Sequence, residues 1–414
     1  MRFRVIPFVL LACTITGCSS SHQSALVTPP RNTPFVRQNG NPVQWRQFSC
    51  GQPCGSYSNL VTVGGNMWFS SYSSGSLVQM TMKGTTTNFP LLSSMNPTAL
   101  TVGSDGKLYA GAAGLANIDI MTTTGAVSQK PIPSGDLVSY YAGMTQGPDK
   151  NVWFVERGHI GRITTAGAIK EFAYADATAT NYYGSITTGP DSNLWVTESS
   201  TSKVDQISTA GVQLAQINLG CSPQGGVVSA GGFLWVNCGG TLAQVATTGT
   251  VTPLFTGFGL SQGGGNLTLG PDGNPWFGMN SNFTIGEFNI ASNSFTFYFP
   301  PTNFATDNAV AAGPDGNIWA TDSSNNMNVY ILNVIAVTPS SLTFATPTSA
   351  SQNIVVSQVG TAAWTAVSQN TAIASVAQGA PATTFIVKPK AVGTTKIVIS
   401  DSKGNSFAVL ITVQ

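Results

Sequence analysis

From residue 43 to residue 334 the chain is a succession of short apolar or alternating runs, each closed by Gly, Pro, Asp, Asn or Thr. An apolar run such as Ser185-Ile186-Thr187-Thr188 leads into Gly189-Pro190-Asp191-Ser192-Asn193, and the next run carries Trp195. In the preceding unit a third run, Ile160-Gly161-Arg162-Ile163-Thr164, passes through a Thr-Ala-Gly turn to a fourth, Ile169-Lys170-Glu171-Phe172. Proline fixes φ, and Asp and Asn side chains bond their own backbone, so Pro-Asp-x-Asn predicts a hairpin turn between two strands. Four short strands and their turns make one sheet, and the fold class predicted is all-β.

The unit repeats. Gly147-Pro148-Asp149-Lys150-Asn151-Val152-Trp153-Phe154 returns at Gly189–Val196, at Gly270–Phe277 and at Gly313–Trp319. Weaker copies surround Trp68, Tyr109 (in place of tryptophan) and Trp235, and successive anchors lie 40 to 44 residues apart. That period fits one blade of a β-propeller. A single blade cannot bury both its faces, whereas radial stacking buries them, with the tryptophan as the wedge between blades. Seven anchors predict a seven-bladed propeller over residues 43–334.

The seventh unit lacks a fourth strand after Val329-Tyr330-Ile331-Leu332. An unassigned run, Val43-Gln44-Trp45-Arg46-Gln47-Phe48, stands before the first unit, and its final aromatic matches the fourth-strand ends at Phe89 and Phe172. This run is expected to pair with the 327–333 strand and close the ring, which removes open sheet edges. Residues 335–414 continue in short runs: Ser341–Ala345, Asn353–Ser357, Ile373–Ala377, Thr384–Val387, Lys396–Ser400 and Ala408–Val413. Their number and spacing predict a second, small β-sandwich domain.

Charge changes the picture chiefly by its scarcity. Charged residues are 8% of the 414, the formal net charge is +1, and 45 glycines stand beside abundant small polar residues. A nucleic-acid binder needs a basic face, and a disordered chain needs low hydrophobicity with high net charge, so neither class fits. At the N-terminus Arg2 and Arg4 precede a short apolar stretch, Val5–Ala12, that ends in Ile15-Thr16-Gly17-Cys18. The stretch is too short to span a bilayer and resembles a bacterial lipoprotein signal over residues 1–17, with Cys18 lipidated as the mature N-terminus. An ordinary secretory signal with an incidental cysteine is the other reading. Residues 18–42 are expected to be a lipidated flexible tether, and the location extracytoplasmic: a membrane-anchored lipoprotein, at the outer membrane or cell surface if the cell is Gram-negative. Four cysteines remain beyond the signal and the lipidated residue. In an oxidising compartment they predict two disulfides. Cys221 and Cys238 lie symmetrically about the turn of the fifth unit, which places them across adjacent strands; Cys50 and Cys54 would close a small loop.

The Gly-Pro-Asp-x-Asn-Leu-Trp-Phe-x-Glu repeat with a following Ile-Gly-Arg-Ile resembles the virginiamycin B lyase (streptogramin lyase) family, and more broadly NHL-type propellers. Gly147–Glu156 with Ile160–Ile163 is the best local match, and Gly189–Glu198 is close. The resemblance spans residues 43–333 and implies a seven-bladed propeller. It also implies elimination chemistry that opens cyclic depsipeptides, with a histidine general base and a magnesium ion held partly by glutamate. Ala391-Val392-Gly393-Thr394-Thr395-Lys396-Ile397 resembles bacterial Ig-like domains, which act as spacers or adhesive units.

The base does not carry over. The resemblance would put histidine eleven residues before each anchor aromatic; allowing a turn one residue shorter in the fifth unit, those positions here hold Thr98, Ala142, Gly184, Gly225, Gly265 and Asn308, with Ser58 nearest in the first unit. The chain has two histidines, His22 in the tether and His159 at the start of a third strand. Three residues after each aromatic come Ser71, Ala112, Glu156, Glu198, Cys238, Met279 and Asp322, so three units keep an acid. Hairpin geometry sets these acids at one rim, where Tyr140, Tyr141, Tyr182 and Tyr183 would stand beside Glu156, Glu198 and Asp322 as a ligand platform. The plainer reading has the acids bonding turn amides and the tyrosines covering strand ends. The resulting expectation is a non-catalytic binding or surface-scaffold protein with no catalytic residue assigned and no cofactor. Its partners would be the membrane, through the lipid on Cys18, and an envelope protein, peptide or glycan, with no nucleic acid. The alternative is a lyase-like enzyme acting on a cyclic ester or a polysaccharide, with magnesium on Glu156 and Glu198 and a base other than histidine.

Overall fold

A computed structural model describes residues 35–39, 45–51, 59–71, 74–93, 97–112, 114–135, 143–156, 158–173, 183–255, 266–279, 285–299, 309–321, 326–330, 336–339, 341–357, 363–401 and 406–414. Among the described residues there is no helix. Seven antiparallel sheets cover residues 60–90, 97–131, 144–173, 183–218, 227–255, 267–299 and 310–330. We refer to these as blades one to seven, and to the strands of each as a to d in order across the sheet. The a strands neighbour one another in cyclic order, blade seven meeting blade one, so the sheets stand around a common axis with their d strands outermost.

The repeat explains its own geometry. In blade three Gly147 N–H donates to the Asn151 carbonyl at 2.8 Å and Lys150 N–H to the Gly147 carbonyl at 3.0 Å, which closes the a–b hairpin. Asp149 accepts from the Asn151 side chain at 2.7 Å and from the buried Trp153 indole N–H at 2.9 Å. The same carboxylate-to-indole bond recurs from Asp191 to Trp195, Asp272 to Trp276 and Asp315 to Trp319. Each tryptophan is fully buried, so its single donor must be satisfied, and the turn aspartate does this. Glycine leads the motif because a Cβ at residue 147 would fall 2.5 Å from the Trp153 ring.

Neighbouring blades are latched at their outer strands. Four d strands carry an aromatic that lies against the tryptophan of the same sheet: Phe89 on Trp68, Phe172 on Trp153, Tyr298 on Trp276 and Phe48 on Trp319. The c–d turn of the next blade then lays a positive-φ glycine over the ring: Gly125 over Phe89, Gly211 over Phe172 and Gly84 over Phe48. By register the same position holds Ile217 in blade four and Leu254 in blade five, and Lys130 in blade two.

Phe48 belongs to the closing strand. Trp45–Ser49 pairs antiparallel with Asn326–Tyr330 as strand d of blade seven, from Trp45 opposite Tyr330 to Ser49 opposite Asn326. Arg46 adds an ion pair to Asp315 at 3.1 Å. One expectation is corrected here. Residues 35–39, assigned to the flexible tether, form a strand parallel to Ser294–Phe299 and extend blade six to five strands. The edge of that blade offers unpaired backbone groups, which an adjacent extended segment satisfies.

Residues 336–414 form two four-stranded sheets enclosing one core, in which Phe344, Ile354, Val387, Ile397, Val409 and Ile411 are buried. Eight strands take part, including two that the apolar runs did not reveal, Ala336–Thr338 and Trp364–Ser368.

Candidate functional site

Strand b of each blade carries the anchor aromatic and ends two or three residues later. Side chains alternate across a strand, and a propeller blade is covered on both faces by its neighbours, so both alternating sets are buried. Glu156 and Glu198 share this fate: each is 0% exposed, as is Ser71, and Ala112, Cys238 and Met279 are buried too. The two acids stand at the ends of their strands but face sheet packing. Asp322, Tyr140, Tyr141 and Tyr182 lie outside the described residues, as do Cys18 and Cys54. Tyr183 opens strand a of blade four and is in register with Glu198, beside a bulge that displaces Gly184 from that pairing. Of the positions where the family resemblance would place a base, Thr98, Gly184 and Gly225 are described and buried. His159 opens strand c of blade three, as expected, opposite Ala173.

The surroundings of the two acids differ. In blade three the facing strand presents Gly161, opposite Phe154, and a Cβ at that glycine would strike both the Phe154 ring and the Glu156 carboxylate. Blade four puts Asp205 where blade three has Gly161, opposite Val196. Asp205 is diagonal to Glu198 on the same face, within side-chain reach. Both are 0% exposed.

Two carboxylates in one buried space cannot both be charged cheaply. Burial first, and then the Glu198 charge, push the Asp205 carboxyl from 3.8 up to about 7. The Gln213 amide donates to Asp205 Oδ1 at 3.1 Å. The Thr201 hydroxyl donates to Glu198 Oε2. Asp205 is the member of this site that motif reading passed over. Its signal was present, because Lys203-Val204-Asp205-Gln206-Ile207 aligns with His159-Ile160-Gly161-Arg162-Ile163 and an acid replaces glycine.

Magnesium takes carboxylate oxygens but keeps several waters, whereas Glu198 and Asp205 are both fully enclosed. Thr201 takes up Glu198 Oε2, while Glu198 Oε1 and Asp205 Oδ2 have no hydrogen-bond partner among the described residues. Among the described residues no group of three or more His, Cys, Asp or Glu side chains is arranged to hold a metal. In blade five the corresponding position is covalently closed, since Cys238 is joined to Cys221 with a Cα–Cα distance of 5.8 Å. Cys50 is also disulfide-bonded, and its expected partner Cys54 lies outside the described residues.

Seven sheets about one axis, wedged by buried aromatics and closed by an N-terminal strand, define a β-propeller. The propeller is virginiamycin B lyase-like, and residues 44–245 match the sequence model of the virginiamycin B lyase family. Among solved structures, virginiamycin B lyase from Staphylococcus aureus is 20% identical with a TM-score of 0.61, over 69% of this chain and 98% of that one. A catalytically inactive histidine-to-alanine variant of the Staphylococcus aureus enzyme with quinupristin is 21% identical with a TM-score of 0.60, over 69% and 98%. Hydrazine synthase from Kuenenia stuttgartiensis is 15% identical with a TM-score of 0.53, over 67% of this chain and 95% of that one. At these identities the likeness is one of fold, and folds of this kind host unrelated chemistries. No curated protein sequence matches the chain.

Proposed function

We propose that the chain is a non-catalytic binding or surface-scaffold propeller, held outside the cytoplasm by lipid on Cys18. The observation that carries this reading is the missing imidazole. None of the six equivalent positions, nor Ser58 in the first unit, holds the histidine that the family chemistry uses, and elimination without a positioned base loses a large part of its rate. The burial of the remaining acids supports it, because Glu156 and Glu198 are both fully enclosed in sheet packing. A rim that keeps its shape without the reacting groups suits recognition of an envelope protein, a peptide or a glycan.

The family match over residues 44–245 favours a second reading, a lyase acting on a cyclic ester with metal assistance. One experiment separates the two. Purified protein incubated with a streptogramin B and magnesium is expected to leave the ring intact, followed by mass spectrometry for the linear product. Metal-dependent ring opening that disappears in Glu156→Gln or Glu198→Gln would establish the lyase and remove the binding reading.

A further inference from the structure

Blade two departs from its neighbours at the outer latch. The d-strand position facing the anchor is Phe48, Phe89, Phe172, Ile217, Leu254 or Tyr298 in six blades, and Lys130 in blade two. The anchor itself is Tyr109 there, smaller than the tryptophan of the other six. Two aromatic volumes are therefore reduced at one seam, and a groove of about 330 Å³ opens between blades two and three. It lies beside the a–b and c–d turns, at the end of the ring opposite Glu156 and Glu198, so it is separate from the site already described.

The lining has a definite chemistry. Lys107 and Lys130 both border the groove. Lys107 is compensated by Asp105 at 3.0 Å. Lys130 is half-buried and has no anionic partner among the described residues. Its stem is seated by the next blade: Gly167, at φ +85°, leaves a space in which a Cβ would fall 2.5 Å from Cε and 3.3 Å from Nζ. The hydroxyls of Ser128 and Thr165 also line the groove and make no hydrogen bond among the described residues. Ile120 and Val127 supply a small apolar wall.

We propose that this groove binds a small polyhydroxy monocarboxylate of hexuronic acid size. One uncompensated ammonium matches one carboxylate, and a charge-assisted contact of this kind is stronger than a neutral one. Two uncommitted hydroxyls match the hydroxyls of a sugar ring, and the apolar wall meets its C–H face. The volume lies at the lower end of the range for small-ligand sites.

The test is calorimetric titration of the full chain with D-galacturonate, beside D-galactose and inorganic sulfate. Galacturonate is expected to bind, with galactose and sulfate weaker by about tenfold or more, the size of one charge-assisted contact. Lys130→Phe restores the side chain that other blades carry, so it is expected to hold or raise the melting temperature while abolishing galacturonate binding. Should Lys130→Phe fail to fold, Lys130→Gln makes the same comparison with the stem retained. No binding by the unaltered chain at about tenfold above millimolar ligand, a range typical of weak sites, would overturn the proposal. So would unchanged binding in either variant, or equal binding of galactose or sulfate.

Discussion

Replacing Asp205 by asparagine isolates the buried acid pair of blade four. In the unfolded chain this carboxyl titrates near 3.8, and in the folded protein burial and Glu198 raise it to about 7. The folded state therefore holds a proton that the unfolded state releases. Below pH 3.8 both states are protonated and the group is neutral to stability. As pH rises from 3.8 to 7 the unfolded state ionises first and stability falls; above 7 both are ionised and the loss is constant. At about 1.4 kcal/mol per unit, the shift amounts to about 4 kcal/mol at most. Asparagine is neutral at every pH, so it never places a second charge beside Glu198. Urea midpoints measured from pH 4 to pH 8 should therefore diverge. Asp205→Asn is expected to match the parent near pH 4 and to exceed it progressively up to pH 7, with a constant gap beyond. Parallel curves for the two proteins would refute the account of Asp205 as a carboxyl kept protonated by burial beside Glu198.

Two further outcomes follow from the ring. Phe48→Ala removes a half-buried ring stacked 5.8 Å from Trp319 and loosens the closing strand; a loss of about 2–3 kcal/mol is expected in denaturant unfolding, below the full cost of a buried phenylalanine. No change in midpoint would show that closure does not depend on this latch. Lys150 sits at φ +64° in the a–b turn of blade three, where blades six and seven carry Gly273 and Gly316. Lys150→Gly is expected to raise stability by about 0.5–1 kcal/mol, the left-handed penalty less the extra freedom of glycine when unfolded, read as a higher melting temperature.

Much of this architecture could be read before any coordinates. The tryptophan spacing gave the period, Pro-Asp-x-Asn gave the hairpins, and Phe48 announced itself as a displaced fourth-strand end because it matched Phe89 and Phe172. The strand at 35–39 was illegible, because its reason to exist is an edge offered by residues far along the chain. The candidate site was only half legible. Strand periodicity located Glu156 and Glu198 correctly at the ends of their strands, but a rim position does not imply exposure when both faces of the sheet are covered. Asp205 could have been found by aligning c strands as carefully as b strands. Lys130 was visible in the same way, as the odd member of a column of apolar residues.

The closing strand has a consequence for biogenesis. Trp45–Ser49 leaves the ribosome ahead of every blade, yet its partner is the last strand of the ring, and the Arg46–Asp315 pair joins groups 269 residues apart in the chain. Loop-closure entropy grows only slowly with such a span, but the encounter must wait until nearly the whole propeller has been made. Until then Trp45–Ser49 is a strand without its partner, and it could pair with the sheet edge of another molecule. A chaperone that shields that strand would serve this protein best in the interval between synthesis of the first and last blades.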